Sequence, residues 1–278
     1  MIIDGKKIAE ELRNKIKNDI QNLPNGNKPS LTVILIGEHP ASQIYVRNKE
    51  KFANEVGINS CILKFDDSIS EKDLKKEIEK LNDDPTVHGI LVQLPLPAHI
   101  NQRDIIETID PNKDVDGFHP INVGNLSSGN DAMVPCTPLG CYYLIKKVIP
   151  NLSGLNAVVI GRSNINGKPM AQLLLKENCT VTIVHSKSKN LKNECLKADI
   201  LVAAVGVPNL VKKDWVKNDV IVIDVGINKI GEKIVGDVNF EEVKNKTKAI
   251  TPVPGGVGPM TIACLLKNTL ECFKAHQL

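Results

Sequence analysis

The runs Ala157–Ile160, Thr180–Val184, Ile200–Val205 and Val220–Val225 are short, apolar and rich in β-branched residues. Strands that are apolar along their whole length must be covered on both faces, and parallel sheets flanked by helices provide that cover. Runs of the same kind stand earlier, at Leu31–Ile36, Asn59–Phe65 and Gly89–Leu94. Helical periodicity lies between them, at Lys6–Gln21, Ala41–Val56, Glu71–Leu81 and Gly167–Glu177. This alternation makes the chain α/β, and 278 residues suit two domains better than one. The polar, turn-rich stretch Asn122–Asp131 is the natural boundary. The expected division is an N-terminal α/β domain over 1–121 and a Rossmann-like parallel-sheet domain over 122–259, with a helix over 260–278 that returns to the first domain.

Composition narrows the partners. Aromatic residues are 3%, so the core must rest on Ile, Val and Leu. A net charge of +3, dispersed along the chain, does not make the basic stripe that nucleic acid needs. Seven cysteines without a C-x-x-C pair suit neither a zinc site nor a disulfide framework. No metal is expected, and the thiols are those of a reducing compartment. No signal-peptide core and no membrane-spanning run is found, so the expected location is the cytoplasm.

Thr251-Pro252-Val253-Pro254-Gly255-Gly256-Val257-Gly258-Pro259-Met260-Thr261 combines three prolines and three glycines in eleven positions. Proline fixes φ, and glycine lets a backbone approach a ligand closely. The run is read as a rigid backbone wall against a flat ligand, or else as a proline-stiffened connector. An amphipathic helix carrying Ile262, Leu265, Leu266, Leu270 and Phe273 follows at once.

The strand at Ala157–Ile160 runs directly into Gly161-Arg162-Ser163-Asn164-Ile165-Asn166-Gly167. Strand, glycine turn and helix in that order form a pyrophosphate cradle, although the pattern is G-x-S-x-x-x-G rather than G-x-G-x-x-G. An NAD site places a carboxylate after the second strand. Here Val184 is followed by His185-Ser186-Lys187-Ser188-Lys189. Hydroxyls and positive charge, with the Arg162 guanidinium at the turn, favour the 2′-phosphate of NADP. Gly206 and the Gly226-Ile227 pair end the next two strands, where ribose and nicotinamide would approach the backbone; tight turns explain the glycines equally well.

Tyr45, Lys49, Phe52 and Val56 share one helix face, with Ser42 a turn earlier. Phe52 and Val56 mark that face as apolar, so Lys49 points inward. Desolvation lowers a lysine toward the range of a useful base; a lysine snorkelling past a core helix end has the same spacing. Gln93-Leu94-Pro95 closes a buried strand and offers an amide to a lysine or a substrate. Asp110, Asp114 and Asp116 follow, one of which would accept paired N–H donors from a planar heterocycle while the others serve turns.

Taken together and in order, Y-V-x-x-K (Tyr45–Lys49), V-Q-L-P-L-P (Val92–Pro97), K-D-V-D-G-F-H (Lys113–His119), P-C-T-P (Pro135–Pro138), G-R-S-N (Gly161–Asn164) and the proline-glycine run resemble the bifunctional methylenetetrahydrofolate dehydrogenase/methenyltetrahydrofolate cyclohydrolase family. The likeness covers essentially the whole chain from Asp4-Gly5-Lys6. One departure is Asn166, where that family usually has a small aliphatic residue. The resemblance implies a folate-binding N-terminal domain, an NADP-binding second domain, an active site in the cleft between them, and a homodimer. It implies Lys49 as general acid/base, held by Gln93, with Tyr45 orienting the folate and Asp116 receiving the pterin edge. Ser42, Leu94, Pro95, Pro252, Gly255, Gly256 and Pro259 would complete the tetrahydrofolate site. Gly161, Arg162, Ser163, Ser186, Gly206, Gly226 and Ile227 would hold NADP. The rival readings are an NADP-dependent dehydrogenase of shikimate-dehydrogenase type and a nucleotide sensor without catalysis.

Overall fold

The computed structural model describes residues 1–277, apart from the side chains of Asn25 and Ala41. Leu278, the last residue of the expected C-terminal helix, lies outside the described residues. The chain forms two compact units. One comprises Glu11–Asn125, Asp131–Val134 and the chain from Leu265 onward; the other comprises Met1–Glu10, Leu126–Asn130 and Pro135–Cys264.

The first unit is built on a three-stranded parallel sheet. Its elements in chain order are α1 (Gly5–Gln21, from Glu11 on), β1 (Ser30–Ile36), α2 (Pro40–Val56), β2 (Asn59–Phe65), α3 (Glu71–Asp83), β3 (Gly89–Val92), α4 (Gln102–Thr108) and α5 (Pro120–Ser127). The strand order is β2-β1-β3, and Leu31 pairs with Ser60 on one side and Gly89 on the other. Local chemistry sets the helix ends. Ser70 Oγ accepts the Asp73 N–H at 3.1 Å to start α3, and Gly57 adopts a left-handed conformation to stop α2. Ile34 and Ile90 of the sheet pack with Leu74 and Ile78, one helical turn apart on α3, and with Ile105 of α4.

The second unit continues with α6 (Cys136–Val148), β4 (Asn156–Ile160), α7 (Gly167–Lys176), β5 (Thr180–Val184), α8 (Leu191–Cys195), β6 (Ile200–Ala203), β7 (Val220–Asp224), the hairpin β8 (Asn228–Ile230) and β9 (Lys233–Val235), α9 (Phe240–Val243), β10 (Thr247–Ile250) and α10 (Val257–Ala275, to Cys264). Its parallel sheet has the order β10-β7-β6-β4-β5. The chain leaves β4 for β5 on one side and then crosses to β6 on the other. The carboxyl end of β4 is therefore a topological switch point, where open α/β sheets bind ligands. The start of the chain joins this sheet: Ile2 bridges Ile250, and the Ile3 N–H donates to Ile250 O at 2.8 Å.

Three expectations are corrected. β5 is not buried on both faces; it is an edge strand whose Thr180 and Ile183 are exposed. The stretch 122–131 is not all turn, because α5 extends to Ser127. Val257, Gly258 and Pro259 belong to the first turn of α10 rather than to a loop. A proline is accommodated there because first-turn N–H groups have no partner inside the helix.

Candidate functional site

In the three-stranded unit, α2 turns Ser42, Val46, Lys49, Ala53 and Val56 inward, and all five are buried. Lys49 is only 6% exposed. Its Nζ donates to Gln93 Oε1 at 2.9 Å, a bond spanning the end of β3 and the middle of α2. Gln93 Nε2 donates to Leu94 O at 2.7 Å, which fixes the amide with its oxygen toward the lysine. The Tyr45 ring centroid is 5.6 Å from the ammonium nitrogen, within cation–π range. Burial pushes the Tyr45 phenol above its usual value, so it remains a neutral hydroxyl at physiological pH. Of the expected apolar face, Lys49 and Val56 are buried but Tyr45 and Phe52 are only half-buried, and the Arg13 guanidinium stacks 4.3 Å from the Phe52 centroid.

The structure separates the roles within K-D-V-D-G-F-H. Lys113 is buried and donates to three carbonyls, Leu81 O at 3.0 Å, Asn82 O at 2.6 Å and Asp84 O at 2.8 Å. It closes the C-terminal end of α3, where helix carbonyls lack partners. Asp114 accepts the His119 N–H at 2.8 Å and Asn122 Nδ2–H at 3.0 Å, and burial pushes its carboxyl up. Asp110 accepts the Asn112 N–H at 2.8 Å in a turn. Asp116 is half-buried and lines a small recess together with Leu91, Leu94 and Phe118. A separate recess of about 300 Å³ lies beyond β1 and β2, lined by Gly37, Glu38, Gln43 and Asp67, and does not include Lys49, Gln93 or Asp116.

In the five-stranded unit, Gly161 ends β4 with φ +118°, and a Cβ there would lie 2.3 Å from Ala204 O. Only glycine makes this turn. Ser163 Oγ accepts the N–H groups of Asn166 at 3.1 Å and Gly167 at 3.4 Å, organising the start of α7. Arg162 is exposed and enters no ion pair among the described residues. Ile160 pairs with Val184, so the turn after β5, with Ser186, Lys187 and Lys189 exposed, stands beside the glycine turn. Ser188 is spent locally, accepting the His185 N–H at 3.0 Å. A glycine cradle, an exposed guanidinium and hydroxyl, and no carboxylate in the turn after β5 fit NADP.

Gly206 is exposed with φ +68°. Gly226 is buried, and its lack of a side chain is required from inside: a Cβ would lie 2.2 Å from Asp237 Oδ1. Ile227 is 60% exposed. In the proline-glycine run, Thr251 is buried and its Oγ1 accepts the Asp224 N–H at 2.8 Å. Pro252, Gly255 and Pro259 are half-buried and Gly256 is buried. A Cβ on Gly5 would lie 1.9 Å from Gly256 O, which accounts for the Asp4-Gly5-Lys6 element. P-C-T-P is also a packing device, since Thr137 Oγ1 and Thr261 Oγ1 are 3.0 Å apart between α6 and α10. Among the described residues the cysteines are free thiols, all buried except Cys61. Burial pushes Cys195 and Cys272 up to about 12, which removes them as nucleophiles. Among the described residues no His, Cys, Asp or Glu group is arranged to hold a metal ion, and no helix is long and apolar enough to cross a membrane.

Comparison with known proteins gives matches along both units. The model of the tetrahydrofolate dehydrogenase/cyclohydrolase catalytic domain matches residues 3–116, and that of the NAD(P)-binding domain matches residues 135–277. The chain is 67% identical over 279 residues to the bifunctional protein FolD of Pelagibacter ubique, covering 100% of this chain and 99% of that one. The crystal structure of the bifunctional FolD methylenetetrahydrofolate dehydrogenase/cyclohydrolase of Campylobacter jejuni superposes with a TM-score of 0.98 at 49% identity, covering 100% of this chain and 99% of that one. The Trypanosoma brucei methylenetetrahydrofolate dehydrogenase-cyclohydrolase, solved with NADP cofactor and an inhibitor, superposes with a TM-score of 0.93 at 37% identity, covering 99% and 97%.

Proposed function

This chain belongs to the tetrahydrofolate dehydrogenase/cyclohydrolase family, and from that premise we propose how its own residues divide the work. It is a bifunctional one-carbon folate enzyme. It oxidises 5,10-methylenetetrahydrofolate to the methenyl form with NADP⁺ and hydrolyses that product to 10-formyltetrahydrofolate. The readings as a shikimate-type dehydrogenase or a nucleotide sensor are not favoured.

The observation that carries the assignment is the buried Lys49 Nζ held 2.9 Å from Gln93 Oε1. In the hydrolytic step, water adds to the methenyl carbon and the bond from that carbon to N5 breaks. One proton of the water reaches N5 and the other leaves to solvent, so the charge of the cation ends as a released proton. Lys49 moves the proton that goes to N5. Gln93 keeps the amine aimed by accepting from it on one side and being tied to Leu94 O on the other. Tyr45 and Ser42 orient the folate from the same helix face, Asp116 accepts the N–H donors of the pterin edge, and Leu94 and Pro95 contact it from the end of β3. Pro252, Gly255, Gly256 and Pro259 supply the stiff backbone wall.

NADP⁺, when bound, supplies the hydride acceptor. Gly161 and Ser163 would hold its pyrophosphate, Arg162 and Ser186 its 2′-phosphate, and the backbone at Gly206, Gly226 and Ile227 its nicotinamide half. The folate chemistry belongs to the unit holding Lys49 and the cofactor to the unit holding Gly161. We further infer a cytoplasmic homodimer, supported by the free thiols and the family resemblance; sedimentation at several concentrations tests the dimer.

The decisive variant is Lys49→Met. We expect methenyl hydrolysis to fall about a thousandfold, the range of a positioned acid/base, while methylenetetrahydrofolate still binds. Hydrolysis at the wild-type rate would remove Lys49 from the step.

A further inference from the structure

Asp224 and Asp237 are 3% and 0% exposed, and neither has a part in the reaction described above. Burying a carboxylate costs free energy unless its oxygens are well supplied with donors. Both are. Asp237 Oδ2 accepts the N–H groups of Val205 at 2.7 Å and Gly206 at 3.0 Å, and its Oδ1 accepts Asn228 Nδ2–H at 2.9 Å. Asp224 Oδ1 accepts the N–H groups of Gly226 at 3.0 Å and Asp237 at 2.9 Å, and its Oδ2 accepts that of Val238 at 2.9 Å. The two residues also exchange close contacts. The Asp237 carboxylate presses on Gly226 and the Asp224 carboxylate on Gly236, where a Cβ would come within 2.2 Å and 1.8 Å of an oxygen. Each glycine is what lets the opposite carboxylate in.

The donors converging on the pair belong to the segments after β6 and β7 and to Asp237 and Val238. The outer side of Gly206 is open, for the nearest atom to its Cβ position is Asn228 Oδ1 at 4.0 Å. The backbone at Gly206 is pinned from within and bare on its outer side. We propose that Asp237 is a positioning residue for the cofactor: its carboxylate sets the Val205–Gly206 backbone and, through Asn228, the 226–228 segment, with Asp224 holding Asp237 in place. The proposal rests on the reading that Gly206 and Gly226 receive the nicotinamide half of NADP.

The test is calorimetric titration with two ligands, NADP⁺ and adenosine 2′,5′-bisphosphate, the second of which lacks the nicotinamide half. Asp237→Ala leaves two N–H groups and an amide without their acceptor, and we expect NADP⁺ to bind about tenfold more weakly. The bisphosphate should bind as to wild type. Asp237→Asn should restore NADP⁺ affinity to within about threefold, because an amide oxygen still accepts from Val205 and Gly206 and Asn228 can turn its own oxygen to the new NH₂. Unchanged NADP⁺ affinity in Asp237→Ala overturns the proposal. So does equal loss of both ligands, which assigns Asp237 to general folding, and so does an Asp237→Asn variant as weak as alanine. If Asp237→Ala does not fold, Asn228→Ala decides, with NADP⁺ about threefold weaker expected and no change overturning it. Gly206→Val separates the premise: normal NADP⁺ binding there would refute the cofactor role of the segment itself, whereas a loss there beside an unaffected Asp237→Ala would refute only the positioning role.

Discussion

In the three-stranded unit the group we propose as reactive is a side chain, Lys49, and a second side chain, Gln93, accepts its hydrogen bond. In the five-stranded unit two carboxylates turn the other way, while Arg162 and Ser186 stay exposed. Asp224 and Asp237 face inward, Gly161 and Gly206 have no side chains, and what remains at the strand ends is largely backbone. The difference separates two ways of building a site. A side-chain site can be deleted atom by atom with the fold intact; a backbone site changes only when the chain that carries it is bent.

The largest effect is expected of Gly161→Ala. The methyl group would meet Ala204 O at 2.3 Å, at a φ of +118°. We expect a stability loss of about 3 kcal/mol together with loss of NADP⁺ binding, read by thermal unfolding and titration of the same sample. A variant of wild-type stability would show that the turn adapts. Gln93→Leu is the counterpart in the other unit. It removes one acceptor of Lys49, and methenyl hydrolysis should fall about a hundredfold, with KM for the folate little changed. If KM rose and kcat held, Gln93 would belong to substrate binding.

The inward aspartates give a pH signature. Burial pushes the Asp224 carboxyl up to about 7, against the hydrogen bonds of Val238, Asp237 and Gly226 that favour its charged form. Between its unfolded value near 4 and that folded value the native state binds the proton better. The contribution to stability is therefore full below about pH 4 and is lost as pH rises through about 7. The stability of wild type relative to Asp224→Asn should fall by on the order of 2 kcal/mol from pH 5 to pH 8, measured by urea unfolding; a constant difference would mean that Asp224 does not titrate there. The smallest effect is expected for Arg162→Ala, which should weaken NADP⁺ about tenfold and leave NAD⁺ unaffected. Equal losses would remove the 2′-phosphate role.

The same contrast decided what the sequence disclosed. Lys49 was legible because its helix face is marked by apolar neighbours at regular spacing, and Gln93 because it closes an apolar strand. β4, β6 and β7 were legible because burial on both faces leaves an unbroken apolar run. β5 is also rich in β-branched residues, but Thr180 and Thr182 interrupt its apolar run and it lies at the sheet edge, which composition does not record. Lys113 and Asp114 sit in the same short motif as Asp116 and share its polarity. Only the structure shows that they serve the end of α3 and the turn before α5. Asp237 left no signal, since its partners at 205, 206 and 228 are backbone groups and a neighbouring amide whose identity no local pattern reveals.

The contact of Gly5 with Gly256, beside the pairing of Ile3 with Ile250, has a consequence for how the molecule is made. About 250 residues separate the partners, and ribosomes add roughly 5–20 residues per second. The opening segment must therefore wait some tens of seconds, outside the tunnel and without its neighbours, until the residues that will seat it are translated. During that interval Ile2 and Ile3 lack these partners, and the contact of Gly5 with Gly256 forms only once residues 250–256 have been made. The packing of Gly256 is thus completed only against a segment translated about 250 residues before it.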